Sequence, residues 1–186
     1  MSDVVDERFP QTLVAARTGA EWAWASIYRD LAPSVLGYLR ARGVPDAENV
    51  TGDVFLQVVR DLPRFEGGEQ QFRAWVFTIA HHRLIDARRW HAQRPVELKP
   101  EPAAAVTGSG DTEGEALHQI AVQRVCVLLQ RLPRDQRAVL LLRVLGELTI
   151  EEVARVLGKS PGSVKALQRR GLKAVQRALE KEGVPL

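Results

Sequence analysis

The chain has 186 residues, of which 45% are hydrophobic, and its formal net charge is +3. This length allows one medium domain or two small ones. The single cysteine, Cys126, excludes an internal disulfide framework, and no segment offers the roughly 18 consecutive apolar residues of a membrane helix. The first residues, MSDVVDERFPQTLV, lack the basic and apolar regions of a signal peptide. We therefore expect a soluble, cytoplasmic protein without membrane insertion.

Charge is distributed unevenly along the chain. Residues 1–94 carry twelve basic and twelve acidic side chains, residues 95–115 carry one basic and five acidic, and residues 116–186 carry thirteen basic and six acidic. A basic C-terminal part is typical of a protein that binds a polyanion, and it is equally compatible with a solvated basic surface. Charge alone leaves both interpretations open.

Helical periodicity dominates the first half of the chain, and no alternating strand pattern of convincing length is present. Residues 20–43 predict one or two helices, interrupted near Pro33. A further helix is predicted over residues 46–62, with Asp46 as its N-cap. A polar loop, PRFEGGEQQ (63–71), follows it.

The next predicted helix, FRAWVFTIAHHRLIDARRW (72–90), changes character along its length. Apolar side chains on more than one face indicate a covered helix: Phe72, Trp75, Val76, Phe77, Ile79 and Leu84. Its end is basic and carries Trp90, a combination that suits unstacked nucleic-acid bases. The adjacent His81 and His82 point about 100° apart, whereas metal-binding pairs on helices sit at i,i+4. We therefore expect no metal site.

The stretch RPVELKPEPAAAVTGSGDTEGEA (94–116) has no aromatic residue and no apolar periodicity. Such a composition buries too little surface to offset the entropy of ordering the chain. We predict a flexible acidic linker over residues 94–115. It would join an N-terminal helical domain, residues 1–93, to a C-terminal helical domain, residues 116–186.

In the second half, helices are predicted over residues 116–131 and 134–146, and two helix starts then follow closely. Thr149 and Glu152 form a T-x-x-E capping box, and Gly158 suits the end of that first short helix. Ser160 can cap the second helix, with Pro161 at its first position. Two helices joined by such a turn predict a helix-turn-helix.

The second of these two helices has an apolar and a basic face. Val164, Leu167, Gly171, Val175 and Ala178 lie on the first face. A row of cations at i,i+4 spacing forms the second: Lys165, Arg169, Lys173 and Arg177. Like charges at this spacing destabilise an isolated helix, whereas DNA phosphates would turn the repulsion into affinity. The pattern favours DNA binding over a solvated bundle helix.

Three segments resemble one bacterial family. FRAWVFTIAHHRLIDARRW is similar to the F-R-A-W-L-x-x-I-A-R-N-x-x-I-D-x-x-R-R signature of extracytoplasmic-function (ECF) sigma factors. VTGDVFLQVVRDLPRFEGG (50–68) resembles the preceding helix and loop of that family, and residues 132–179 resemble its C-terminal promoter-binding domain. The similarity covers roughly residues 20–92 and 116–180, in the family's order.

The resemblance implies an all-α protein with two small helical domains, a flexible acidic linker and a C-terminal helix-turn-helix. Its implied function is transcription initiation: the protein binds core RNA polymerase and directs it to promoter DNA. The C-terminal domain would recognise the −35 duplex, and the N-terminal domain would melt and read the −10 element. An anti-sigma factor or another protein regulator is an expected further partner. No cofactor, no catalytic residue and no enzymatic activity are expected.

The family's functional positions map onto this sequence in three groups. Contact with the polymerase clamp is implied for the helix that contains TGDVF, at Asp53, Phe55 and Leu56. Reading of a flipped −10 base and its backbone is implied for Phe65, Trp75, Ile79, His82, Arg83, Arg88 and Arg89. Contact with the −35 duplex is implied for Pro161, Ser163, Lys165, Ala166, Arg169, Arg170 and Lys173. His81 and His82 stand where the family usually has Arg-Asn.

The main alternative is a stand-alone helix-turn-helix regulator, which binds duplex DNA without polymerase. It would account for residues 149–179 and leave residues 46–92 unexplained. A hydrolase is disfavoured, because the sequence has no G-x-S-x-G, no P-loop and no Gly-rich dinucleotide fingerprint. Affinity for core polymerase distinguishes the sigma factor from the regulator.

Overall fold

The computed structural model describes residues 8–93 and 129–181, except for the side chains of residues 91–93. Within these ranges the protein consists of helices and turns, without a strand, as predicted. A short 3₁₀ helix, Leu62–Arg64, connects the third helix to the fourth. The α-helices of the described ranges are α1 (Arg8–Arg17), α2 (Glu21–Ala41), α3 (Ala47–Asp61), α4 (Glu69–Gln93), α5 (Arg134–Val144), α6 (Ile150–Leu157) and α7 (Pro161–Lys181).

The helices pack in two sets, α1–α4 and α5–α7. Tyr38 and Phe77, whose rings meet edge to face at 5.8 Å, lie fully buried in the first set. Leu141 and Leu148 are fully buried in the second. The arrangement agrees with the expected pair of small helical domains. The predicted linker (94–115), the predicted helix over residues 116–128 and Cys126 lie outside the described residues.

The predicted interruption near Pro33 is wrong, because α2 is one continuous helix of 21 residues. Pro33 is exposed, and a proline inside a helix costs about 3 kcal/mol. On the opposite side α2 buries Ile27, Val35 and Leu39. Each such side chain contributes about 1.5–3 kcal/mol on burial, so packing of the apolar face outweighs the local break.

The ends of α3 and α4 also differ from their predictions. Asp46 occupies the N-cap position of α3, but its backbone is left-handed (φ 55°) and its carboxylate caps no backbone N–H. Instead its Oδ2 accepts from Asn49 Nδ2 at 2.5 Å. Helix α4 begins at Glu69, three residues earlier than predicted. Gln71 stabilises this earlier start, because its Oε1 accepts from Gly68 N–H at 3.1 Å.

Candidate nucleic-acid interface

The first helix of the predicted helix-turn-helix, α6, has both of its predicted ends. Glu152 N–H donates to Thr149 Oγ1 at 3.2 Å, and Thr149 N–H donates to Glu152 Oε2 at 2.7 Å. This reciprocal pair satisfies two N–H groups that the helix start would leave unpaired. The helix ends at Gly158, whose φ of +62° is the left-handed conformation that glycine adopts without strain. The capping box is confirmed.

The second helix, α7, starts where its sequence predicts. Ser160 Oγ accepts from Ser163 N–H at 3.2 Å, and Pro161 is the first helical residue. In the turn, Lys159 Nζ lies 2.8 Å from Asp135 Oδ2, which ties the turn to the start of α5. Local caps and this ion pair fix the orientation of α7 relative to the rest of the C-terminal set.

Helix α7 presents the two predicted faces. Val164, Leu167 and Gly171 are buried, and a Cβ added at Gly171 would lie 3.0 Å from Leu140 Cδ1, so α7 approaches α5 closely. The cations of the opposite face are all exposed: Lys165, Arg169, Lys173 and Arg177. Of the other predicted −35 positions, Pro161, Ser163 and Arg170 are exposed and Ala166 is partly buried. The seven positions therefore lie within residues 161–173 of one helix, and all but Ala166 are exposed.

In the second half of α4 the predicted −10 residues fall into two kinds. His82 and Arg89 are exposed. Arg83 is half-buried, and its Nε donates to Gln57 Oε1 on α3 at 3.1 Å. The Arg88 guanidinium donates to the carbonyl oxygen of Arg42, and burial, followed by the positive charge of Arg42, lowers its pKa. Arg83 and Arg88 thus also hold α4 against its neighbouring helices.

An open groove of about 540 Å³ lies at the start of α4. Phe65 and Trp75 line it, with their rings stacked at a centroid distance of 5.0 Å and an interplanar angle of 29°. Phe65 also meets Phe72 edge to face at 5.2 Å, which fixes the orientation of its ring. Ile79, the remaining apolar residue predicted for this site, is buried in the core. Phe65 is only 8% exposed and Trp75 is half-buried, so Trp75 supplies most of the aromatic surface that faces the groove.

The predicted polymerase-contact residues lie on α3 and differ in exposure. Asp53 is exposed and Leu56 is 70% exposed, whereas Phe55 is buried. The Phe55 ring packs against Tyr28 of α2 at 4.8 Å. Tyr28 and Val59 are also exposed large side chains. Sequence reasoning missed Tyr28, because its contact with Phe55 is tertiary, whereas the spacing of Leu56 and Val59 on one helix face could have pointed to Val59.

His81 forms a buried polar contact that the sequence did not reveal. Its Nδ1 lies 2.8 Å from Tyr38 Oη, and Arg42 Nη1 donates to the same oxygen at 3.3 Å. Burial raises the pKa of Tyr38 to about 12, so the phenol is protonated and donates to a neutral imidazole. Burial, followed by the charges of Arg42, His82 and Arg88, lowers the pKa of His81 to about 4. His81 is therefore a core residue that packs α4 on α2.

Neutral burial of His81 predicts acid sensitivity. Between its ordinary pKa of about 6.5 and its lowered pKa, the unfolded chain binds a proton that the folded chain excludes. The free energy of unfolding should therefore fall by about 2 kcal/mol as the pH drops through this window, after a discount for partial solvent screening. Chemical denaturation between pH 7 and pH 4 measures the change.

The matched variants are His81→Phe, which removes the titrating group, and His82→Asn, which alters its exposed neighbour. His81→Phe should flatten the pH dependence by about the stated amount, and His82→Asn should keep most of it, because burial and Arg42 lower the pKa of His81 more than His82 does. If the free energy of unfolding fell equally with pH in the wild type and in His81→Phe, this histidine would not control stability in acid.

Comparisons with known proteins place the chain in a family. The profile described as "Sigma-70 region 2" matches residues 27–94, and the profile described as "Sigma-70, region 4" matches residues 124–175. The ECF RNA polymerase sigma factor SigD of Mycobacterium tuberculosis strain H37Rv is 32% identical over 179 residues, which cover 91% of this chain and 83% of the relative. The chain belongs to the ECF sigma factors.

Two solved structures share the fold of this sigma factor. CnrH in complex with the cytosolic domain of CnrY has a TM-score of 0.63 at 20% identity and covers 93% of this chain and 97% of CnrH. The sigma factor RpoE from Bartonella quintana, in complex with the anti-sigma factor NepR, has a TM-score of 0.65 at 18% identity. The match covers 84% of this chain and 96% of RpoE. These likenesses confirm the all-α, two-domain fold.

Family membership gives the sigma factor its general function, which is to direct RNA polymerase to promoters. The alternative of a stand-alone regulator is not favoured, because the region 2 match accounts for the residues that it leaves unexplained. Among the described residues, no group of three or more His, Cys, Asp or Glu side chains could hold a metal ion. No helix in the described ranges is long and apolar enough to cross a membrane.

Proposed function

We propose that this sigma factor reads the −35 duplex with α7. Supporting this is the exposed row of Lys165, Arg169 and Lys173 on a helix whose other face is fixed to the C-terminal core. The second helix of a helix-turn-helix enters the major groove with its N-terminal residues at base edges. Arginine and lysine are the usual partners of guanine there and of phosphates alongside. This exposed cationic face is the single observation that carries the proposal.

The −10 element is assigned to α4 and the loop before it. Extraction of a base from the stack costs a few kcal/mol, and binding of the base in a shaped aromatic pocket must compensate for that cost. The half-buried Trp75, which stacks on the buried Phe65 ring, offers such a surface, and the exposed His82 and Arg89 lie further along the same helix. The half-buried Arg83 and Arg88 would support the backbone of the melted strand while bracing α4.

The exposed side of α3 is assigned to core RNA polymerase. Leu56 and Val59 are apolar and exposed within one helical turn, and the exposed Tyr28 of α2 contacts Phe55 of the same helix. An apolar patch with an aromatic side chain and a flanking acid, Asp53, has the composition of a protein-binding surface. Phe55 is buried and positions Tyr28 for that contact.

An anti-sigma factor is proposed as a further partner, acting in the cytoplasm where polymerase works. In its solved structure, CnrH is bound to the cytosolic domain of CnrY. The Bartonella RpoE is bound to the anti-sigma factor NepR. Affinity capture of this sigma factor from its host would identify its own regulator.

Promoter opening by the reconstituted holoenzyme tests the proposed function. The sigma factor is combined with core RNA polymerase, and permanganate maps unpaired thymines on a promoter found by transcript mapping. We expect reactive thymines at the −10 element and loss of the complex when the −35 element is scrambled. Binding of the −35 duplex without any melted −10 region would contradict the assignment to α4.

His82→Asn tests the reading of the −10 strand. The His82 side chain is exposed and forms no hydrogen bond within the described residues, so the substitution should leave the melting temperature unchanged. A neutral imidazole offers one donor and one acceptor, whereas an amide offers a different pattern at a shorter reach. We expect base preference to change at one −10 position in a randomised promoter library. A variant with unaltered preference and a melting temperature several degrees lower would mark His82 as structural.

A further inference from the structure

Gly52 lies inside α3, and no contact in the described part of the chain requires a glycine there. Its φ lies outside the left-handed region, and a Cβ added to it would meet no described atom within 4 Å. Gly171 of α7 is the contrasting case, because a Cβ there would lie 3.0 Å from Leu140 Cδ1. A glycine inside a helix is destabilising relative to alanine. The fold alone therefore does not explain Gly52.

The missing side chain leaves a notch on the outer side of α3. A helical side chain covers the turn that precedes its own Cα, so Gly52 uncovers the backbone near Glu48 and Asn49. The Glu48 carboxylate accepts a hydrogen bond from Arg40 of α2. Asn49 Nδ2 donates to Asp46 Oδ2 at 2.5 Å. These two bonds fix the walls of the Gly52 notch, which consists of residues 48, 49 and 52.

An apolar ridge continues the line of the notch along α3. Leu56 is 70% exposed and Val59 is 47% exposed, and they follow Gly52 by four and seven residues, which places all three on one helical face. At 1.5 Å per residue this row is about 10 Å long. Helices pack by inserting the side chains of one into the spaces between those of the other. A gap followed by two apolar side chains therefore fits a second helix.

Asp53 gives the same surface a charge. It is exposed beside Gly52, and its carboxylate forms no ion pair or hydrogen bond within the described residues. An unpaired carboxylate at the border of an apolar contact attracts a cation on the partner. Shape and charge together fit a helix that carries an apolar side chain next to a lysine or an arginine.

We propose that the Gly52 notch receives an apolar side chain from a helix of core RNA polymerase, with a lysine or arginine of that helix against Asp53. The inference rests on the proposed polymerase role of α3 and adds a specificity-determining residue to it. Without a Cβ at position 52 the two helices approach more closely at this point than larger residues permit. A partner that lacks the projecting side chain gains nothing from the notch, which is how the notch discriminates between partners.

Substitutions at position 52 separate the stability of the fold from the affinity for polymerase. Gly52→Ala adds one methyl group to the notch, and Gly52→Leu fills it. Both should raise the melting temperature by a few degrees, because both residues are better helix formers than glycine and the space is open. Affinity for immobilised core enzyme should fall about threefold for Gly52→Ala and about tenfold or more for Gly52→Leu, mainly through faster dissociation.

Gly162 of α7 provides the matched controls. It is also a helical glycine with exposed surroundings, and a Cβ added there would likewise meet no described atom within 4 Å. Gly162→Ala and Gly162→Leu should keep the wild-type affinity for core enzyme. Asp53→Asn tests the charge at constant shape. It should weaken binding several-fold at low salt and less at high salt, because salt screens the attraction.

Three results would overturn the notch: wild-type or tighter binding by Gly52→Leu, equal losses from the Gly52 and Gly162 series, or a lower melting temperature for Gly52→Ala. The last result would mean that the fold itself needs the glycine. Unchanged affinity of Asp53→Asn at low salt would overturn the choice of a basic partner.

Leu56→Asp in the same assay distinguishes failure of the notch from failure of the proposed function. If Leu56→Asp keeps the wild-type affinity for core enzyme, the polymerase role of α3 fails. If Leu56→Asp weakens binding and Gly52→Leu does not, that role stands and the notch alone is overturned.

Discussion

Replacement of both Lys165 and Arg169 by alanine is expected to weaken binding of the holoenzyme to a −35-containing promoter by about 100-fold or more. Both side chains are exposed on α7 and form no ion pair within the described residues, so their charges are available to DNA. Loss of a good contact to a base costs about 1–3 kcal/mol of binding free energy. Loss of a phosphate contact also reduces the salt dependence of the binding affinity. Fluorescence anisotropy with promoter fragments at several salt concentrations measures both effects.

Arg177→Ala is the matched control for this pair. Arg177 has the same charge, lies on the same face of the same helix and is also exposed, but it follows the proposed contact positions. We expect it to retain affinity within a few-fold of wild type, while all three proteins share one melting temperature. Equal losses from Arg177→Ala and from the double substitution would indicate nonspecific attraction by the basic face, without a role in −35 recognition.

Leu56→Asp is expected to weaken binding to core RNA polymerase by about 30-fold, with no loss of fold stability. Leu56 is 70% exposed on α3, and a central apolar anchor of a protein interface is worth about 2 kcal/mol or more. The side chain makes little contact with the protein's own core, so the charge should act on the partner alone. Surface plasmon resonance with immobilised core enzyme gives the affinity, and thermal unfolding gives the stability.

Val14→Asp provides the comparison on a different surface. Val14 is 59% exposed within α1, so the substitution introduces the same charge at a similar exposure, and it costs the helix less than Leu56→Asp because Val and Asp have similar helix propensities. It should leave polymerase affinity unchanged. Wild-type affinity for Leu56→Asp, or an equal loss from Val14→Asp, would remove α3 from the proposed polymerase contact.

The helix-turn-helix was predictable from sequence because its signals are local. Thr149 and Glu152 are three residues apart, and Ser160 and Ser163 have the same spacing, so each cap satisfies backbone groups in its own turn. The two faces of α7 follow from helical periodicity alone. The core side of α4 was likewise recoverable, since Phe72, Val76 and Phe77 are all buried.

Sequence reasoning failed where tertiary packing overrides a local preference. Pro33 predicts a break, but the buried apolar face of α2 holds the helix through it. Asp46 fails for a local reason instead: it has the right residue type and position for an N-cap, but its carboxylate accepts from the side chain of Asn49 in the same turn. Local rules give the preference of each residue, and packing across helices decides whether that preference is realised.

The contacts that give the site its particular chemistry are long-range. Tyr38 and His81 are 43 residues apart, and Gln70 and Glu152 are 82 apart. No periodicity in a single sequence relates positions at such separations. The family signature pointed to α4 as the proposed −10 segment, but it could not show that His81 is buried against Tyr38 while His82 is exposed. His81 therefore contributes to the stability of the fold, and His82 is a candidate for contact with DNA.

Transcript mapping after reconstitution with core RNA polymerase on genomic DNA tests most directly whether this chain turns the polymerase into a promoter-specific enzyme. We expect the sigma factor to co-purify with core enzyme and to create new, discrete start sites. Those start sites should share a bipartite upstream sequence with −35 and −10 parts. A chain that binds duplex operators unaided, does not associate with core enzyme and yields no new start site would contradict the account.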